Sequence, residues 1–238
     1  MARSRVGVAA AHETFMPVRR RENGLVRAFK TFLRLILPVA LLVAALGVAY
    51  FYSTFPITQL DRYLPRDFAA SGWLTVGHVA LALSFFAVSV ANRRYGLGLA
   101  TGQILVSWIL IAAVFAASKF QPIPRLYGVP ELSLAVLPPF RILSAFVGAL
   151  LLAQLLSALV FDRTRGVHWW QAPLYAGLWG AVVFAGTFYP AAYYGTTEPW
   201  LNRMILHLGL LAAAAFVLVL PYWMIRPVVR PMPGFGGA

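Results

Sequence analysis

The sequence predicts an all-α membrane protein: a polytopic bundle of six transmembrane helices with both termini cytoplasmic. Three observations carry that expectation. Composition comes first: 61% of the 238 residues are hydrophobic and 11% are charged, where a soluble domain carries about 25% charged residues. Run length comes second. A spanning helix needs about 20 mostly apolar residues, and six runs meet this, at 32–52, 72–92, 97–117, 140–161, 170–190 and 204–225. Charge placement comes third. Of the 20 Lys and Arg, 14 fall in residues 1–34, 92–96, 162–168 and from 226 onward, and 6 fall on the other side. Positive residues concentrate in cytoplasmic loops, so both ends lie inside and the number of spans is even.

Residues 1–30 are polar and basic without apolar periodicity, and read as a cytoplasmic arm. "RRR" at 19–21 only faintly resembles an export signal, and the apolar run after it lacks a convincing cleavage site, so the first helix is retained. Residues 31–226 are the six-helix bundle. Within it, 92–96 and 162–168 are tight cytoplasmic turns, and the proline-rich loop 118–139 covers the outer mouth. Arg163 and Arg165 hold their turn inside, and Trp169 and Trp170 sit at headgroup depth, where amphipathic rings are stable. Residues 227–238 form a Pro/Gly-rich, extended tail. Gly98 and Gly102, and Gly177, Ala181 and Ala185, recur at i,i+4 and mark faces where helix backbones approach closely.

The net charge of +13 sits in the arm and the loops rather than on a folded polar surface, so it sets topology and does not imply nucleic acid. Anionic lipid is the partner it suits. Cysteine is absent, which removes disulfides, thiolate metal sites and Cys nucleophiles. Hydrolase, zinc-protease and nucleotide-binding signatures are also missing, and no Asp, Glu or Lys lies inside the six runs. An enzyme is therefore not expected, and no metal site is.

Four polar residues interrupt the apolar runs: His78, Gln103, Gln154 and His207. Intramembrane polar groups mark function by default. His78 and His207 are the candidates for pigment or haem ligation, because neutral imidazole binds haem iron or bacteriochlorophyll magnesium axially. The bland alternative is a histidine hydrogen-bonded to a neighbouring helix. Gln154 either binds a polar ligand or joins two helices.

Several stretches carry a family resemblance. "FRILSAFVGALLLAQLLSALVFDRTRGVHWWQAPL" at 140–174, "TFYPAAYYG" at 187–195, "FVLVLPYWMI" at 216–225 and "VSVANRRYG" at 88–96 resemble the queuosine precursor transporters, vitamin-uptake-like proteins. The resemblance implies a six-helix protein of the bacterial inner membrane that imports deazapurine bases. It also implies acidic or polar groups where this chain has Ser89, Ser157, Ala181, Phe184, His207 and Leu211. With the buried acids replaced, two functions follow. The favoured one is a transport-inactive structural or accessory subunit of a larger membrane complex, photosynthetic or respiratory, docked against other membrane subunits. The alternative is a nucleobase-like small-molecule transporter of altered specificity, binding through Arg141, Gln154, Ser157 and His207.

Overall fold

The computed structural model describes residues 24–64, 69–118, 139–166 and 168–231, with side chains from residue 29 onward. The arm up to residue 23, the loop from 119 to 138 and the end of the tail from 232 lie outside the described residues. The rest is helix and connecting turns. In order these are α1 (Gly24–Phe51), α2 (Val76–Ala80), α3 (Ala82–Tyr95), α4 (Leu97–Ala117), α5 (Phe140–Arg163), α6 (Gln171–Tyr193) and α7 (Trp200–Ile225). With α2 and α3 counted as one span, six helices are long and apolar enough to cross a membrane. The chain is a multi-pass membrane protein.

The chain falls into two units, Met1–Arg34 and Leu35–Ala238. In the first, helix is already present from Gly24, inside the stretch expected to be an arm. Phe29, Phe32 and Leu33 are exposed there, as on a lipid-facing helix.

The second span starts later than its hydropathy suggests. Ala70–Gly72 is a short 3-10 turn, and helix begins only after Thr75, which builds a capping box with His78. The Thr75 side chain satisfies a backbone N–H of the first turn while the His78 ring reaches back to the Thr75 N–H, so two orphan donors are met reciprocally. The span is then interrupted at Leu81, although no proline marks the place. A tight turn at Gly96, with φ +82°, reverses the chain into α4. A side chain would be strained at that angle.

The α3 and α6 helices are the most enclosed, and α5 packs most extensively on α6. Small residues on α6 let α3 and α7 approach it closely. A Cβ on Gly180 would come within 2.8 Å of the Phe85 ring, and one on Gly177 within 2.9 Å of Ala215. Ala181 and Ala185 continue the same buried stripe, so the expected Gly177–Ala181–Ala185 face is a packing seam. The Gly98–Gly102 face is not: a Cβ on Gly98 would meet nothing within 4 Å, and one on Gly102 only a Leu35 methyl at 3.7 Å.

Candidate functional site

Among the described residues, two sets of buried polar side chains differ in how well they are satisfied. The first is carried by α4 and α5, joined to each other by Trp108 and Gln154 and to α1 by Gln103. Gln103, Ser107, Gln154 and Ser157 are all fully buried. Gln103 Nε2 donates to the Pro38 carbonyl of α1 at 2.7 Å, and Trp108 Nε1 donates to Gln154 Oε1 at 2.8 Å. Four atoms of this set have no hydrogen-bond partner: Gln103 Oε1, Ser107 Oγ, Gln154 Nε2 and Ser157 Oγ.

Their relative heights follow from topology. Asn92 Nδ2 donates to the Ala158 carbonyl at 2.6 Å, which sets the C-terminal end of α3 beside that of α5. The Gly96 turn then makes α4 antiparallel to α5. At 1.5 Å rise per residue, Ser157 and Gln103 lie about 4.5 and about 7.5 Å from the Trp108–Gln154 bond, both toward that turn. The four orphaned atoms therefore fall within about two helical turns of one another in height, with the Gln103 amide turned toward α1. The bundle is closed around them. The best-formed cavities, of about 10 and about 20 Å³, are lined by other residues.

The second set joins α2, α6 and α7. His207 Nε2 donates to the His78 carbonyl at 3.1 Å, and Tyr189 Oη donates to His207 Nδ1 at 2.9 Å. The carbonyl can only accept, which fixes the tautomer, and His207 has used both ring nitrogens. On His78, Nδ1 accepts from the Thr75 N–H at 3.2 Å and faces the Thr75 hydroxyl at 2.8 Å. The two imidazoles meet edge to face, 5.2 Å apart. The His78 carbonyl lies three residues before the interruption at Leu81, and His207 supplies it a donor there. A side chain that satisfies backbone near a break is how a membrane helix tolerates one. In this arrangement neither nitrogen of His207 is free to bind haem iron or bacteriochlorophyll magnesium. No group of three or more potential metal ligands occurs among the described residues.

The four expected ligand-binding residues are not brought together. Gln154 and Ser157 share the seam, and His207 belongs to the second set. Arg141 is 13 positions before Gln154 on α5, about 20 Å along the axis. Its Nε donates to the Ala191 carbonyl at 3.0 Å and its Nη2 to the Tyr194 carbonyl at 2.7 Å. A cation there meets the orphan carbonyls and negative end of α6, so Arg141 clamps two helix ends.

The expected interface anchors also divide. Arg163 and Trp170 are exposed. Arg165 turns inward, donating to the Asn92 carbonyl and to Asn92 Oδ1 and pairing with Asp162 at 3.2 Å. Burial pushes its guanidinium below its ordinary range, while Asp162 works the other way. Trp169 lies under the Arg226 guanidinium, 5.9 Å from its ring centroid.

Sequence reasoning missed Ser107, Trp108, Tyr189 and Asn92. The i,i+4 spacing of Gln103 and Ser107 places them on one helix face and was a usable signal. The hydrogen bonds of Trp108, Tyr189 and Asn92 join residues 46, 18 and 66 positions apart, and no local pattern announces such partners. The six positions at which the family resemblance implies polar groups all point inward: Ser89, Ser157, Ala181, Phe184, His207 and Leu211 are buried. Ala181, Phe184 and Leu211 belong to the apolar core, and Ser89 bonds back to the Phe85 carbonyl at 2.9 Å.

No family model matches the chain, and no solved structure does. The chain is 32% identical over 107 residues to a probable queuosine precursor transporter of Haemophilus influenzae, a stretch covering 44% of this chain and 43% of that protein. The chain, with six membrane-capable helices, is thus similar to one such transporter over less than half of either protein, and it spans about two fifths of that relative's length.

Proposed function

We propose that this chain is a membrane transporter for a small, uncharged, planar molecule rich in hydrogen-bonding groups, bound along the seam of Gln103, Ser107, Gln154 and Ser157. The observation that carries the reading is the set of four orphaned atoms. A buried polar atom without a partner costs about 1–3 kcal/mol, and apolar side chains of similar shape would remove that cost. Retaining four on two joined helices makes sense when something else supplies the bonds. Gln154 Nε2 can only donate, Gln103 Oε1 can only accept, and the two hydroxyls do either. A nucleobase edge presents the complementary set, and glutamine amides read such edges in pairs. The match to a probable queuosine precursor transporter supports the same class, deazapurine-like bases. Neutral partners in place of carboxylates point to an altered specificity.

The seam is closed, so α4 must part from α5 to admit a ligand. Neutral side chains at these buried positions suit a neutral-ligand site, and a transport-inactive accessory subunit is the alternative reading. The excess of Lys and Arg on one side orients both termini to the cytoplasm, and the resemblance places the protein in a bacterial inner membrane. The activity is transport rather than enzyme chemistry.

Uptake of a labelled deazapurine base into proteoliposomes tests this. Wild type should accumulate it, Ser157→Ala, which strands no partner, should lower uptake while keeping the folded protein, and Gln154→Leu should abolish uptake at some cost in stability, because it strands the Trp108 indole N–H. Full uptake by both Gln154→Leu and Ser157→Ala would overturn the assignment of the seam. Absence of wild-type uptake, with stoichiometric co-migration in a larger complex on native electrophoresis, would overturn the transporter reading in favour of the subunit.

A further inference from the structure

The amides of Gln103 and Gln154 are each oriented by a partner that admits one sense of hydrogen bond. A glutamine amide has an acceptor end and a donor end of nearly the same shape, so what it bonds decides which way it points. The Trp108 indole can only donate, and its Nε1 donates to Gln154 Oε1 at 2.8 Å. The oxygen end of Gln154 is thereby spent, and Nε2, the donor end, is left without a partner. At Gln103 the Pro38 carbonyl can only accept, so Nε2 is spent at 2.7 Å and Oε1 is left. Turning Gln154 over would set its NH2 against the indole N–H, donor against donor. The indole is itself held in place: Trp108 packs against both core clusters to which α5 contributes, one with Leu150 and Ala153 and the other with Ala158.

We propose, resting on the seam as the binding site, that Trp108 is the positioning residue that sets its polarity: it holds Gln154 so that a ligand must offer an acceptor there, and that acceptor is an oxo oxygen. Ser157 lies three residues after Gln154 on the same helix face, and its buried hydroxyl is also without a partner. A carbonyl oxygen has two lone pairs and takes one bond from each. An amino group in the same place satisfies the Ser157 oxygen alone and presses its hydrogens on Gln154 Nε2. Trp108 touches no ligand atom in this arrangement and acts through Gln154. A tryptophan that only linked α4 to α5 would change stability, and the uptake of every ligand alike. One that orients the amide changes which ligand is preferred.

Competing uptake of 7-deazahypoxanthine and 7-deazaadenine into proteoliposomes of the full-length protein reads this as a ratio. The first carries an oxo group beside a ring N–H, and the second an amino group beside a bare ring nitrogen. Wild type should favour the oxo base about tenfold or more. Trp108→Phe leaves Gln154 free to turn over and should bring the ratio within about threefold, whatever happens to total uptake. Trp108→Tyr guards against a loss of folding, because its hydroxyl accepts as well as donates and serves the amide in either orientation; the ratio should fall there too. Trp179→Phe, at an exposed position on α6, should keep the wild-type ratio. An unchanged ratio in whichever Trp108 variant folds, with uptake of both bases lowered together, makes Trp108 a helix link and overturns the proposal. A wild-type ratio near one, or a preference for the amino base, overturns it while leaving the seam as the binding site. Uptake of neither base by wild type overturns the seam reading and this one together.

Discussion

The His207 layer and the Gln154 seam lie in the same bundle, are equally buried and are built from the same kinds of neutral side chain. They differ in completeness. In the histidine layer each imidazole nitrogen of His207 has a protein partner. In the seam four atoms have none. Burial alone therefore does not separate a structural polar group from a functional one; whether its hydrogen-bonding capacity is spent does. A group whose capacity is fully spent holds helices together. A group held open at an energetic cost is available to a ligand.

The largest effect that tests this contrast is in the histidine layer. His207→Leu removes a donor and an acceptor at once and strands the Tyr189 hydroxyl and the His78 carbonyl. Two orphaned groups at about 1–3 kcal/mol each predict a loss of about 2–6 kcal/mol, toward the lower end because a membrane-embedded unfolded state finds other partners. Unfolding in mixed detergent should show it. Adding Tyr189→Phe should recover part of the loss, since one stranded group disappears. If His207→Leu costs nothing, the layer is not structural and the contrast fails.

The seam should respond in the opposite direction. Ser157→Ala deletes an orphaned hydroxyl and leaves no partner behind, so stability should rise by about 1 kcal/mol. Uptake should fall at the same time, because the deleted group is one the ligand would use. A gain in stability with a loss of function is the signature of a site kept strained for its task. Loss of both would show that Ser157 is satisfied in the membrane and belongs with His207.

Much of this was readable from the sequence, for physical reasons that also explain what was not. Spans follow from solvation: a bilayer core requires long apolar helices, and the six runs are the six helices. The Gly177–Ala181–Ala185 face was legible because close approach demands small residues at helical spacing. Arg141 and Arg165 were misplaced because an arginine at a helix end has two options, snorkelling to water or bonding the carbonyls of a neighbouring helix. Which one wins depends on whether such carbonyls are near, and only the tertiary structure brings Ala191 and Tyr194 to Arg141, or Asn92 to Arg165. The start of the second span was misjudged because Trp73 and Leu74 are apolar, while the Thr75–His78 capping box outweighs hydropathy in setting where helix begins. Gln154 was identified, but its partner Trp108 lies on another helix, 46 positions away in sequence.

The smallest expected effect is at the mouth of the bundle, and it isolates what surroundings contribute. Asp61, in the turn between α1 and α2, accepts from the Ser71 N–H at 3.0 Å. Hydrogen bonds from Ser71, side chain first and backbone second, hold its carboxyl below the ordinary value of 3.8. The unfolded chain therefore takes up this proton at higher pH than the folded one. The stabilisation is fully present above about pH 4 and is lost as pH falls through the lower, folded value. Protection of the Ser71 amide, relative to its intrinsic exchange rate, should be constant from neutral pH down to that point and then fall, with the break absent in Asp61→Asn. Global unfolding should barely move. Asp61 is as well bonded to its neighbour as Tyr189 is to His207, but water can replace a partner at Asp61 and cannot at Tyr189. If Asp61→Asn destabilised the protein as much as His207→Leu, the importance attached to burial in the membrane would be wrong.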